Sequence, residues 1–225
     1  MKGILFGVGV GPGDPELLTL KAVRIIKECD VIAVPAKDLQ TCTAYNIVKQ
    51  VLPEIENKEV ITVLMPMTKD KEKLEESHKN GACLIRNYLE KGLKVAFLTL
   101  GDPTVYSTYI YIHKRILADG FTTEIINGIP SFCAVAARLQ EGLVENSEQL
   151  HIIPGSYSIS DAINLPGTKV LMKAGKKFGE VKEQLRTLGL RAAMIENCGM
   201  EQEKVYPTLD EIPEEAGYYS LIIVK

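Results

Sequence analysis

Ile4-Leu5-Phe6-Gly7-Val8-Gly9-Val10-Gly11-Pro12-Gly13-Asp14-Pro15-Glu16-Leu17-Leu18-Thr19-Leu20-Lys21-Ala22-Val23 decides how the rest of the chain is read. The apolar run over 4–10 is a buried strand, and glycines and prolines end it. Leu17, Leu20, Val23 and Ile26 then recur at the spacing of one helical face, so a helix is expected over 17–27. Strand, glycine turn and helix in that order open an α/β fold, in which the turn sits where such folds bind ligands. As a binding loop the turn offers backbone groups that glycine leaves unshielded. As a plain turn it is stiffened by proline, with Asp14 capping the helix that follows. Neither reading suits phosphate. Pro12 and Pro15 interrupt a dinucleotide fingerprint, Asp14 and Glu16 place negative charge where phosphate would lie, and no Gly-Lys-Ser/Thr follows.

Outward from this unit the alternation continues. Strands are expected over 31–34, 60–64, 95–100, 123–126, 150–154, 169–172, 192–195 and 218–224. Helices are expected over 43–51, 69–92, 106–117, 131–139, 159–164 and 179–188. Such alternation implies sheets covered by helices. Asp119-Gly120 closes a helix just before a new series, which places a domain boundary at 118–122 and gives domains over 1–119 and 120–225.

The 225 residues are 46% hydrophobic and 24% charged, enough apolar material for large cores and unlike a disordered chain. A net charge of -3 argues against a protein that coats nucleic acid, which needs a basic excess to meet phosphates. Cys29, Cys42, Cys83, Cys133 and Cys198 are odd in number and form no C-x-x-C; His78, His113 and His151 are scattered. Neither a disulfide framework nor a bound metal is expected. The start of the chain has no cleavage-site pattern, and no apolar run approaches the roughly 18 residues of a spanning helix, so a cytoplasmic location is expected.

Three segments taken together carry a resemblance: Gly9-x-Gly11-Pro12-Gly13-Asp14-Pro15-x-Leu17-Leu18-Thr19-x-x-Ala22, Gly101-Asp102-Pro103-x-x-Tyr106 and Asn127-Gly128-Ile129-Pro130-Ser131-Phe132. In order and spacing the chain resembles the tetrapyrrole methylases along its whole length. The third segment departs slightly, since the family usually has Pro-Gly-Ile-Ser-Ser or Pro-Gly-Ile-Thr-Ala. The resemblance implies two α/β domains with S-adenosylmethionine in the cleft between them, no protein-bound metal, and a homodimer. It implies cofactor contacts at Pro12, Leu100, Gly101, Asp102, Val105, Tyr106, Pro130, Ser131, Met172, Lys173 and Ala174. The chemistry agrees, because a sulfonium cation, an amino-acid zwitterion and a neutral nucleoside need backbone groups and at most one carboxylate, for which Asp102 is the candidate. Read without the resemblance, Gly-Asp-Pro is ordinary turn chemistry.

Met65–Asp70, Thr99–Thr108 and Val170–Lys173 look like the members that methylate C20 of precorrin-2 or its cobalt complex, cobalt-factor II, in cobalamin synthesis. The alternatives are methylation elsewhere on the macrocycle or a non-catalytic tetrapyrrole-binding protein of the same fold. The reaction needs no covalent enzyme intermediate, and Tyr106 and Asp102 are the candidates for a catalytic group. Tyr109 and His113 lie near them, with a core or surface role expected for His113. A polycarboxylate substrate requires local cations, for which Lys37, Lys173, Lys176 and Lys177 are candidates, each equally readable as a solvated surface lysine.

Overall fold

The computed structural model describes residues 2–66, 68–155, 159–173 and 178–225. The chain divides into two compact units, Met1–Pro130 and Ser131–Lys225.

The first unit contains β1 (Ile4–Gly9), α1 (Leu20–Glu28), β2 (Val31–Val34), α2 (Thr43–Val51), β3 (Glu59–Thr62), α3 (Lys71–Glu90), β4 (Lys94–Thr99), α4 (Tyr109–Ala118) and β5 (Thr122–Ile126). Its sheet has the order β3-β2-β4-β1-β5, with every pairing parallel. From β1 the chain moves outward to β2 and β3, returns to β4 and crosses to β5 on the other side. Right-handed crossovers in opposite directions put their helices on opposite faces. Accordingly Ile25, Ile26, Ile47 and Val48 of α1 and α2 pack with Phe6, Val8 and Ile32. Ile85, Leu89, Ile112 and Ile116 of α3 and α4 pack with Leu5, Val95 and Phe97 on the other face. Covered on both sides, β1, β2 and β4 read as unbroken apolar runs. Inside β1, Gly7 lies where a Cβ would come within 2.0 Å of the Tyr109 ring, so glycine is what lets α4 seat that aromatic on the sheet.

The start of α1 differs from the spacing argument. Asp14 caps a separate 3-10 turn, Pro15–Leu17, by accepting from the Glu16 N–H at 2.8 Å. The helix itself begins at Leu20 under Thr19, whose hydroxyl accepts from the Ala22 N–H at 3.1 Å. Leu20 is 89% exposed, so its place in the apolar repeat was incidental. Thr19→Ala should therefore lower stability by about 1 kcal/mol, measurable by urea denaturation, because it orphans a first-turn N–H. At α3 the cap is Asp70, which accepts from Glu72 and Lys73, so the helix starts at Lys71 rather than at 69. Likewise α4 starts at Tyr109 rather than at 106.

The domain boundary also moves. β5 pairs along β1, Ile4 opposite Thr122 through Val8 opposite Ile126, and completes the first sheet instead of opening a second. The first unit accordingly runs to Pro130 rather than to 119. The alternation after Gly120 marks a strand correctly but carries no information about which sheet accepts it.

The second unit contains α5 (Ser131–Arg138), β6 (Leu150–Pro154), α6 (Ile159–Ile163), β7 (Thr168–Met172), α7 (Phe178–Thr187), β8 (Ala192–Glu196), β9 (Lys204–Tyr206) and β10 (Ser220–Val224). The sheet order is β6-β7-β10-β8-β9; β6 and β7 are parallel and the other neighbours antiparallel. Leu171, Leu185, Met194 and Ile222 form the centre of its core. The edge strand β9 has no counterpart among the sequence expectations, being three residues long and largely exposed. Among the described residues no helix is long and apolar enough to cross a membrane.

Candidate functional site

In the first unit β1 and β4 are neighbours whose onward connections leave in opposite directions and on opposite faces. That is a topological switch point, the place at the carboxyl ends of parallel strands where the chain leaves a crevice. The loops on either side of it are the two segments singled out in the sequence, 9–15 and 100–106.

They are tied directly to each other. The Val10 N–H donates to the Thr99 carbonyl at 2.9 Å, the Gly101 N–H to the Gly11 carbonyl at 2.7 Å, and the Gly11 N–H to the Gly101 carbonyl at 3.3 Å. A third loop, 127–130, closes on both. A Cβ on Gly128 would lie 2.2 Å from the Gly101 carbonyl oxygen and 2.9 Å from Gly9 Cα, and one on Gly9 would lie 2.5 Å from the Gly128 nitrogen. Three backbones thus meet where no side chain fits, and Gly101 also holds φ +70, a conformation that favours glycine.

Asp102, 5% exposed, latches its own loop to the 127–130 loop. One carboxylate oxygen accepts from the Thr104 N–H at 2.8 Å and its hydroxyl at 2.5 Å. The other accepts from the Gly128 N–H at 3.0 Å and the Asn127 side-chain amide at 3.1 Å. Burial pushes the acid's pKa up, but the hydrogen bonds from Thr104, Asn127 and Gly128 outweigh it and leave the pKa below the usual carboxylate range. The turn role of Gly-Asp-Pro is what the structure shows, with the Asp102 carboxylate engaged by Thr104, Asn127 and Gly128. Thr104, Asn127, Gly128 and Gly9 also belong to this cluster, and none of them is among the site residues expected from the sequence. Asn127, a departure from the usual family segment, serves as one of the four donors.

Around the latch, Pro12 and Gly101 are buried, while Leu100 and Val105 are half-buried. Tyr106 is 51% exposed at φ +47, a left-handed conformation uncommon for a tyrosine. Tyr109 is buried instead, its ring 5.5 Å from Phe97 and its hydroxyl 3.1 Å from His113 Nδ1. Burial pushes the Tyr109 pKa far up, and burial followed by the Lys114 charge pushes the His113 pKa down. This pair belongs to the packing of α4. Pro130 and Ser131 are half-buried, and Lys37 is exposed in the loop after β2. In the second unit Met172 ends β7, and Lys173 follows at φ +60 with its Nζ 5.1 Å above the Tyr218 ring. Ala174, Lys176, Lys177 and Met67 of the Met65–Asp70 segment lie outside the described residues. Among the described residues no group of histidine, cysteine and carboxylate side chains is arranged to hold a metal ion.

Residues 5–213 match the sequence family described as Tetrapyrrole (Corrin/Porphyrin) Methylases. The chain belongs to that family. This methylase is 37% identical to the "Probable cobalt-precorrin-2 C(20)-methyltransferase" of Methanocaldococcus jannaschii, over 98% of this chain and 95% of that one. The cobalt-precorrin-2 C(20)-methyltransferase of Salmonella typhimurium is 31% identical to it over 100% of this chain and 97% of its own. Its fold is shared with the uroporphyrin-III C-methyl transferase of Thermus thermophilus crystallised with S-adenosylhomocysteine, at a TM-score of 0.70 and 24% identity, covering 100% of this chain and 97% of that one.

Proposed function

We propose that this tetrapyrrole methylase transfers a methyl group from S-adenosylmethionine to C20 of precorrin-2 or cobalt-factor II, a step of cobalamin synthesis. The observation that carries the reading is likeness along essentially the whole chain, 37% and 31%, to two proteins named for C20 methylation of cobalt-precorrin-2.

The crevice suits the donor. Stretches 9–16, 99–108 and 127–131 hold no lysine or arginine. What they offer is backbone amides and carbonyls, hydroxyls and one buried carboxylate, a donor set fit for a zwitterion with a sulfonium and unfit for a phosphate. S-adenosylmethionine, when bound, supplies an electrophilic methyl group. The electron-rich macrocycle carbon forms the new C–C bond as the S–CH3 bond breaks, S-adenosylhomocysteine leaves, and the methylated carbon later loses a proton. The work of this chain is placement. With its carboxylate fully engaged, Asp102 acts by fixing the 100–106 loop, so Leu100, Gly101, Val105 and Tyr106 present backbone and side-chain edges in one geometry, the condition for an in-line attack. No general base is assigned, since the macrocycle delocalises charge itself.

The test is carbon NMR of the product made with labelled methyl donor. Label on the C20 meso carbon is expected, and label on a pyrrole-ring carbon overturns the regiochemistry while leaving the family intact. Turnover of metal-free precorrin-2 against cobalt-factor II then decides which form is used. A homodimer in the cytoplasm is proposed from the family likeness alone, and light scattering at micromolar concentration tests the assembly.

A further inference from the structure

Far along the second sheet from Met172, the opening residues of β7 border a cleft of about 680 Å3 that the methyl-transfer reading does not use. Lys169 lines it. This lysine sits inside the ladder, opposite His151 of β6 and Val224 of β10, and is 4% exposed. Among the described residues its ammonium has neither a hydrogen-bond partner nor an ion pair, which sets it apart from Lys182 and Lys225, both of which donate to carbonyls. The Lys169 stem is buried while its ammonium keeps a narrow contact with solvent, and a partly desolvated amine without a partner is less readily charged. Burial accordingly pushes its pKa below the usual lysine range.

The rest of the lining says what would offset that desolvation. Arg191 contributes an exposed guanidinium, and Ile163, Leu165 and Leu190 supply apolar wall. Lys225 also borders the cleft, but it is already held by the Gly142 carbonyl at 2.6 Å and Glu141 at 3.6 Å. Glu145 and Glu148 on the lining disfavour a second negative charge. One largely desolvated cation, one exposed cation, apolar wall and carboxylates on the same lining describe a receptor for a single negative charge on an apolar body. The volume is in the range of sites that take small organic molecules.

We propose that this cleft binds a small monocarboxylate with an apolar body, its carboxylate paired with Lys169 and its hydrocarbon against Ile163, Leu165 and Leu190. None of its lining residues belongs to the loops assigned to methyl transfer, so the proposal stands whether or not that assignment does.

Octanoate, titrated into the full chain by calorimetry, is the probe. One saturable site is expected. Lys169→Met, which keeps the length and apolar stem of the side chain, should weaken it by about tenfold or more, the scale of one charge-assisted hydrogen bond. Binding of S-adenosylhomocysteine should be the same in both proteins. Should Lys169→Met fail to fold, Arg191→Gln at the exposed position provides the second reading, with a weakening of about threefold expected for one solvent-reachable charge. The proposal is overturned if octanoate does not bind the unaltered chain at millimolar concentration, or if the folded variant binds it equally well. It is also overturned if inorganic phosphate binds the cleft more tightly than octanoate.

Discussion

Gly128→Ala is expected to destabilise the first unit by about 3 kcal/mol, the upper end of the usual cost of forcing extra volume into a packed site. The added methyl would lie 2.2 Å from the Gly101 carbonyl oxygen and 2.8 Å from the Gly9 carbonyl carbon. Both neighbours are backbone, belonging to loops that are themselves bonded to each other, so neither can rotate away as a side chain would. Relief requires the 127–130 loop to withdraw, which also breaks the 3.0 Å hydrogen bond from Gly128 to Asp102. Urea denaturation measures the loss. Gly142→Ala is the control, because a Cβ there meets only the Val144 carbonyl at an ordinary 3.7 Å, and a change within about 0.5 kcal/mol is expected. Equal stability of the two variants would mean that the three loops do not meet in solution as described.

Asp102→Ala should cost a similar amount, about 2–4 kcal/mol, since it removes an acceptor from four donors and leaves the buried Gly128 N–H without a partner. Its signature is the dependence on pH. The folded-state pKa of Asp102 is depressed, so its contribution is complete above the unfolded carboxylate value and fades as pH falls through the folded one. The gap in stability between the parent chain and Asp102→Ala should therefore be widest near neutrality and narrow below about pH 4. A gap that stays constant between pH 7 and pH 3 would show that the carboxylate charge is not what holds the loops. If the crevice binds the methyl donor as proposed, S-adenosylhomocysteine affinity falls in this variant as the loop loosens, and more than in Asp14→Ala, whose one recorded cap bond is to a 3-10 turn.

Much of this architecture is legible in the sequence, and the exceptions have physical causes. β1, β2 and β4 announce themselves because both faces are covered, which leaves no polar residue to interrupt the run. β9 does not, because three mostly exposed residues at a sheet edge carry neither period nor apolar content. The spacing of Leu17 and Leu20 suggested a helical face that the structure spends differently, since proline and a threonine cap outrank periodicity in setting where a helix begins. The loop carrying Asp102 stands out in the sequence as a candidate site, but the partners of its carboxylate do not. A carboxylate beside glycine and proline looks the same whether it faces a ligand or a backbone N–H 26 residues away, and only the fold brings Gly128 to it. Lys169 was read as an ordinary strand residue because a lysine inside a short apolar run looks like an edge position until the neighbouring strands are known.

The order of strands in the first sheet also bears on how the chain is made. β1 leaves the ribosome first, yet both of its partners come from far downstream: Ile4 pairs with Lys94 on one side and Thr122 on the other. At roughly 5–20 residues per second, the interval between synthesis of Ile4 and of Lys94, its first partner to be made, is about 5–18 s. During that time one of the most apolar segments of the protein has no edge to join, and closing so distant a pairing is intrinsically slow. The strand that organises the finished sheet is thus the one longest exposed to chaperones and to neighbouring nascent chains, so the yield of folded protein in a cell is set as much by what shelters this segment as by the stability of the final structure.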